Sequence, residues 1–437
     1  ADGSEVRALL EFASREGVAV VPYGGGTSVV GGVTVRPSNR PVMTVDAARL
    51  AGVRHVDERS GIARVGAGTT GPQLDGELAD RRLTLGHEPQ SWELSTVGGW
   101  VAARSSGQRS LAFGRIEQLF AGGTLEAPAG TLELPPFPAS AAGPDLRQVV
   151  LGSEGRLGIL TDVLLRTAPI PEADAVDGYA LPGWEVGLEA TRALARAHLP
   201  LSMLRLSDPE ETAATMALAN RAAQTGVLGR YVQLRLRSSR WSMLLVGATG
   251  TRRTVATARA EARTSLGRQG AIRIPGVAEA WQRNRFRTPY LRNALWDAGY
   301  AADTLETAAT WDRLPALAAA VLEALGSGLH GEGSRAHAFA HLSHVYPSGS
   351  SLYVTYLFPR AADPDRTLAR WRALKAAASR AIRDHAGTIS HHHGVGTDHA
   401  AYLPGEKGAL GLAVLHALAA TFDPAGIMNP GVLLPSP

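Results

Sequence analysis

In "ADGSEVRALLEFASREG" the apolar residues Val6, Leu9, Leu10 and Ala13 recur at helical spacing on one face, so the chain is expected to open with an amphipathic helix ended by Gly17. The unbroken apolar run "VAVVPYGGG" then reads as a short buried strand closed by glycines. "PVMTVDA" and "IARVGAGT" carry strand patterns, and "TGPQLDGELADRR" a helical one. Residues 86–125 are dense in Gly, Ser and Thr and read as loop. "GSEGRLGILTDVLLRTAPIPE" recovers a strand and leaves through prolines, which sets a domain boundary near residue 170.

Beyond that boundary strands alternate with long Ala/Arg-rich helices. "LSMLRLS" is followed by a helix over "DPEETAATMALANRAAQTG", strands at "YVQLRLRSS" and "SMLLVGATG", and a helix over "TRRTVATARAEARTSLGRQG". "SSLYVTYLFPR" is a further strong strand and "PDRTLARWRALKAAASRAIRDHAG" a helix with a glycine stop. This is an α+β or α/β unit with its own apolar layer. No internal repeat is visible.

At 437 residues the chain is too long for one simple core, and 45% hydrophobic with 19% charged residues is an ordinary soluble globular composition. Its net charge is +4, and nearly all the positive charge is arginine, Lys375 and Lys407 being the only lysines. Those arginines are scattered singly, which predicts solvated faces rather than a nucleic-acid footprint. The lack of cysteine excludes disulfides, thiolate nucleophiles, Fe–S clusters and cysteine-based zinc sites, and fits a cytoplasmic location. No apolar run reaches the roughly 18 to 20 residues of a membrane span, so no transmembrane segment is expected. No initiator methionine precedes the first helix, so the natural N-terminus is expected upstream.

Three loops in the first third change the picture. "VPYGGGTSVVGG" alone is best read as a tight turn, since it is neither a dinucleotide fingerprint nor a P-loop. "HEPQSWELSTVGGWVAARSSG" and "GSEGRLGIL" repeat its chemistry. Each ordered glycine costs about 0.5–1 kcal/mol relative to alanine, so three such loops point to a large charged ligand lying against backbone N–H groups. A dinucleotide fits.

The ordered motifs "PYGGGTS", "GHEPQSWELSTVGGWVAARSSG", "GSEGRLGILTDVLLRTAPIPE", "HHHGVG" and "DPAGIMNPG" resemble the FAD-binding enzymes of the vanillyl-alcohol oxidase superfamily. Within it the chain looks most like the alkyldihydroxyacetonephosphate synthase branch. The resemblance implies an α+β, two-domain flavoprotein: a PCMH-type FAD-binding domain over residues 1–170, its beginning absent, a cap or substrate domain on an antiparallel sheet over 171–380, and a segment 381–437 returning to the flavin. It implies FAD contacts from Pro22, Tyr23, Gly24, Gly25, Gly26, Thr27 and Ser28 and from Gln90, Ser91, Ser95, Thr96 and Gly98. Ala103, Arg104, Ser105, Ser106, Glu154, Gly155, Gly158, Ile159 and Leu160 complete that set. Thr27 and Ser28 stand where many members tether flavin through histidine, so noncovalent FAD is expected. Homodimers are common among members; the sequence shows no interface.

The same resemblance implies a catalytic set, and each member has a plain alternative. Alternation in "SSLYVTYLFPR" sends Leu352, Val354, Tyr356 and Phe358 to the core and leaves Tyr353, which matches the branch's catalytic tyrosine, facing a cavity. Without that match it is a strand tyrosine. Arg205, between Leu204 and Leu206, and Arg292, behind a Thr288 N-cap and Pro289, match active-site arginines; unaided, both read as surface residues. Adjacent side chains cannot converge on one ion, so His391, His392 and His393 argue against a metal. The resemblance puts this run at the flavin's reactive edge, with His392 as acid/base and its neighbours orienting it. A metal is the minority reading: "FAHLSHVYPSGSSLY" offers His341 and His344, but the later histidine of metal-binding relatives falls on Tyr353.

Two reactions on a small-molecule substrate follow. The preferred reading is an FAD-dependent oxidase or dehydrogenase passing a hydride from a hydroxyl- or amine-bearing carbon to flavin N5. The alternative is the branch's redox-neutral exchange of an acyl group for a long-chain alcohol. "TDHAAYL" after "HHHGVG" lacks the branch's basic residues and weakens the case for a phosphate-bearing substrate. A flavin-binding protein without catalysis is a third class.

Overall fold

A computed structural model describes residues 2–36, 39–218, 222–287 and 290–434. The chain divides into two compact units: unit 1 comprises Ala1–Gly107, Phe113–Ile170 and His392–Pro437, and unit 2 comprises Gln108–Ala112 and Pro171–His391.

In unit 1, α1 (Gly3–Glu16) starts at Asp2, whose carboxylate accepts the Ser4 and Glu5 N–H groups, and ends at a left-handed Gly17. β1 (Ala19–Tyr23) pairs in parallel with β2 (Val42–Asp46). β3 (Val53–Asp57), β4 (Ile62–Gly66), β5 (Phe120–Ala127), β6 (Gly130–Leu134) and β7 (Ile159–Arg166) form an antiparallel sheet in the order β3-β4-β7-β5-β6. One core gathers Leu74, Leu78, Trp100, Ile116, Phe120 and Leu165. A second joins Val6 and Leu10 of α1 to Val20, Ile427 and Met428, which ties the first strand to the C-terminal motif.

Helix α2 (Gly71–Ala79) lies where the pattern predicts it. The expected loop over 86–125 instead contains α3 (Val97–Ala103) and most of the fully buried β5. Glycines at the start of α3 hide its propensity from a sequence reading. Burial of Val97, Trp100 and Val101 and the Thr96 cap sustain it.

Unit 2 is built on an eight-stranded antiparallel sheet. Its strands are β8 (Ala173–Leu181), β9 (Leu201–Ser207), β10 (Ser242–Gly250), β11 (Ile272–Arg273), β12 (Tyr300–Thr310), β13 (His337–Leu342), β14 (Val345–Tyr346) and β15 (Gly349–Pro359). Their order is β11-β8-β10-β9-β13-β15-β12, with β14 paired to β15. Helices α4 (Trp184–Arg196), α5 (Pro209–Leu218), α6 (Ala222–Leu236), α7 (Arg252–Arg268), α8 (Leu291–Asp297), α9 (Leu314–Ser327) and α10 (Pro364–Asp384) accompany them.

"YVQLRLRSS" is not a strand, because α6 runs through it to Leu236. Val232, Leu234 and Leu236 imitate strand alternation, yet Val232 is buried and Leu234 is 77% exposed, so they form no common face. The sheet position beside β10 is already filled by β8 and β9, and Leu, Gln and Arg favour helix. Thr288 and Pro289, expected to cap α8, lie outside the described residues.

The stretch Leu314–Glu332 is long and apolar enough to span a membrane by composition, contrary to the sequence reading. It packs against β13, β15 and α10, and Leu314, Leu317, Val321 and Leu325 are buried in the unit's core. On that same side Asp303 of β12 accepts hydrogen bonds from Lys375 Nζ (2.9 Å), Trp371 Nε1 (2.7 Å) and Tyr356 OH (2.9 Å). Burial works against the Asp303 charge, but Lys375 and these donors hold its carboxyl below the usual range. They join α10 to the sheet.

Candidate active site

Unit 1 builds its candidate site from backbone. The loop after β1 lies so close to residues 94–96 that a Cβ on Gly25 would occupy the Leu94 carbonyl, and one on Gly24 would meet the Thr96 hydroxyl. Ser28 Oγ accepts the Gly32 N–H at 3.0 Å and closes the turn. Glu154 reaches the same loop group: its carboxylate accepts the Val395 and Gly396 N–H groups, both at 2.7 Å. Asn429 Nδ2 donates to the carbonyls of Gly32 (3.0 Å) and Glu154 (2.7 Å), so "DPAGIMNPG" is tied to the glycine turns. Burial raises the Glu154 carboxyl to about 7, more than the two N–H donors lower it.

The second loop is held by side-chain hydrogen bonds. Thr96 caps α3, Ser95 Oγ accepts Trp100 Nε1 at 2.7 Å, and His87 Nε2 lies 3.1 Å from Ser105 Oγ. Burial drives the His87 imidazole down to about 3, helped by the His392 and Arg115 charges, so His87 is neutral. Arg104 turns away to Glu117 and Gln148. Gly98 donates its N–H to the Ala67 carbonyl at 2.7 Å, and the side chains of Ile159 and Leu160 enter the cores.

Unit 2 builds its site from side chains. Along β15, Leu352, Val354, Tyr356 and Phe358 are buried, while Tyr353, Thr355 and Leu357 remain partly exposed, the alternation expected from the sequence. Register places Tyr353 between Glu306 of β12 and His341 of β13, and His341 opposite Ser207 of β9. The His341 and Tyr353 rings stack at 4.7 Å with planes 16° apart. Arg205 Nη2 lies 2.9 Å from Glu211 Oε1, and His341 Nδ1 lies 2.8 Å from the same oxygen. Burial of its hydroxyl pushes Tyr353 up to about 12, with the Glu306 and Asp303 charges adding to the rise. At neutral pH it is a phenol that donates. Burial opposes the Glu211 charge, yet His341, Arg205 and hydrogen bonds bring its carboxyl down to about 2.

Beside this set, His391 Nε2 meets Tyr346 OH at 2.7 Å, and its Nδ1 lies 3.5 Å from Glu306 Oε1. His344 stacks on His391 at 5.2 Å and reaches Ser110 Oγ through Nδ1 at 3.3 Å. Glu306, His344 and His391 offer ligand-type atoms within 4.8 Å of one another, a grouping the sequence reading did not see. The ring nitrogens of His391 and the Nδ1 of His344 already face protein partners. Of the three successive histidines, His392 and His393 set their rings edge to face at 4.7 Å. Arg292 is exposed on α8. A groove of about 970 Å³ lined by Glu185, Arg192, His198, Trp311 and neighbours holds none of the candidate residues.

Residues 1–133 match the FAD binding domain model, and residues 170–433 match the C-terminal domain model of FAD linked oxidases. The chain belongs to the FAD-linked oxidase family. This FAD-linked oxidase chain is 30% identical to the alkyldihydroxyacetonephosphate synthase of Trypanosoma brucei brucei, over 98% of its own length and 71% of the relative's. It is 25% identical to the mitochondrial D-lactate dehydrogenase [cytochrome] of Arabidopsis thaliana, over 99% of its length and 72% of the relative's. A solved alkyldihydroxyacetonephosphate synthase superposes with a TM-score of 0.82 at 28% identity, covering 98% of this chain and 75% of that one.

FAD is the cofactor of the family, and unit 1 has the chemistry to hold it. Its loops present close-packed backbone and small hydroxyls, and Ser106 Oγ and His87 Nδ1 are buried without a hydrogen bond, polar atoms suited to a polar ligand. The sequence reading missed Asn429, Glu211, Glu306 and Tyr346. Asn429 stands in a motif it had quoted. Glu211, in "DPEE", looks like an ordinary helix start: Asp208 Oδ1 does accept its N–H at 2.6 Å. Glu306 has one local signal, a lone acid in the small and β-branched run "TLETAAT".

Proposed function

We propose that the chain is a flavin enzyme catalysing redox-neutral exchange, replacing the acyloxy group of an acylated ketone with a long-chain alcohol. The observation carrying this reading is that the Tyr353 face holds two separate imidazole–carboxylate pairs, His341 with Glu211 and His391 with Glu306. In the exchange one C–O bond breaks and another forms, and the alcohol's proton ends on the departing carboxylate. That chemistry uses both a proton acceptor and a proton donor. Hydride removal needs an acceptor alone. The likeness to alkyldihydroxyacetonephosphate synthases supports the same order, which reverses the preference drawn from sequence. FAD, held noncovalently by unit 1, supplies the electrophilic and electron-accepting centre.

One observation favours the second reading, hydride transfer from a 2-hydroxy acid or similar substrate. Arg205 is engaged by Glu211, and "TDHAAYL" holds neither lysine nor arginine, which leaves less permanent positive charge for a phosphate. Anaerobic mixing of the holoenzyme with hydroxy acids, alcohols and amines, and separately with acyl-dihydroxyacetone phosphate plus hexadecanol, separates the two. Fatty acid release with flavin absorbance unchanged is expected. Bleaching by a hydroxy acid without fatty acid release would replace exchange with oxidation.

A further inference from the structure

We propose that Glu211 is a positioning residue for proton transfer in unit 2: it holds His341 as the Nδ1–H tautomer, so that Nε2 carries the lone pair beside Tyr353. The inference rests on reading the Tyr353 face as the place of proton transfer. The geometry starts from the 2.8 Å separation of His341 Nδ1 and Glu211 Oε1. His341 Nδ1 faces two groups: the Glu211 oxygen at 2.8 Å, which has only lone pairs, and Arg205 Nη2 at 3.2 Å, which can only donate. The shorter contact, to a carboxylate, favours a proton on Nδ1, and Arg205 Nη2 has its own acceptor in the same carboxylate oxygen at 2.9 Å. Glu211 is ionised because the permanent Arg205 charge lies 2.9 Å from the same oxygen.

The scaffold around Glu211 is fixed independently of its side chain. Asp208 spans two elements: Oδ1 accepts the Glu211 N–H at 2.6 Å at the start of α5, and Oδ2 accepts the Ala340 N–H at 2.8 Å on β13. The Asp208 carboxylate thus ties the residue that orients to the strand of the ring that is oriented. A carboxylate at N3 of a helix ordinarily folds back on its own cap. Glu211 turns to the sheet instead. The charged and titratable groups facing His341 are Glu211, Arg205, Glu306 and the Tyr353 phenol; burial and Arg205 lower the imidazole, and Glu211 partly offsets them. His341 is therefore neutral at pH 7 and able to accept a proton.

The test compares wild type, Glu211→Gln and Glu211→Asp as FAD holoenzymes. Long-range ¹⁵N NMR of ¹⁵N-histidine protein, with His341 assigned through His341→Gln, reads the tautomer without substrate. Nδ1–H is expected in wild type, and in Glu211→Gln, whose amide can turn either way, that single tautomer is lost. Turnover should fall about 10- to 100-fold in Glu211→Gln with FAD content unchanged. Removing the negative charge lowers the imidazole pKa, so the acid limb of kcat/KM should move to lower pH. Glu211→Asp, which keeps the charge, should recover part of both. Nε2–H in wild type overturns the inference, and so does a Glu211→Gln variant that loses thermal stability while keeping its tautomer and acid limb. Failure of wild type to turn over any substrate overturns the proposed function instead; the tautomer still decides this inference.

Discussion

The two units solve the same problem with different materials. Unit 1 shapes a cofactor cradle from main chain, where glycine turns pass carbonyls too closely for any Cβ and carboxamide or carboxylate side chains secure the backbone. Unit 2 places functional side chains on a sheet whose register aligns residues distant in the chain. A backbone-built site tolerates no added atom but places little demand on pKa. A side-chain site tolerates conservative change in shape but depends on which proton each group holds.

That contrast can be broken most sharply at Tyr353. Tyr353→Phe keeps the ring stacked on His341 and removes a hydroxyl whose proton is held to about pH 12. Turnover should drop on the order of 10²- to 10⁴-fold, with flavin content and melting temperature unchanged. Steady-state kinetics beside a flavin-to-protein ratio check it, and loss of flavin would show that unit 2 also works through shape.

Glu154 tests whether unit 1 is free of such dependence. Its folded carboxyl titrates near 7, above the unfolded value of 4.5, so the native state binds the extra proton between those values. Stability from this group is therefore full below pH 4.5 and is lost as pH rises through 7. The gap in unfolding free energy between wild type and Glu154→Gln should change by about 3 kcal/mol across that window, measured by urea unfolding of the apoprotein. Using the difference cancels His87, whose lowered imidazole acts oppositely as pH falls below 6.5. A flat difference would mean that Glu154 stays ionised throughout.

Gly25→Ala should have the most selective effect on the cofactor. The added methyl meets the Leu94 carbonyl, which is backbone and cannot swing aside. Overpacking costs about 1–3 kcal/mol, which corresponds to FAD binding weakened by up to about 100-fold in fluorescence titration. Retention of wild-type affinity would place the cofactor outside this loop.

The legibility of each region follows the same division. The glycine loops, the Tyr353 alternation and the Arg205 strand position all show in local sequence, because they depend on backbone freedom and a two-residue period. "YVQLRLRSS" misled, since its alternation matched a strand that the filled sheet had no edge to accept. Helix α3 was hidden by glycines that only tertiary burial makes helical. His391 shows the limit most plainly: its motif stood out, yet its partners Tyr346 and Glu306 have no common local pattern.

The order of motifs along the chain determined the family, the cofactor and the chemical classes open to it, because phosphate-binding turns and strand periodicity are properties of neighbouring residues. Tertiary structure alone decided that Glu211 meets His341, that Tyr353 stays protonated and that His391 meets Tyr346. Those outcomes depend on strand register and burial, and both arise from contacts between residues far apart in sequence.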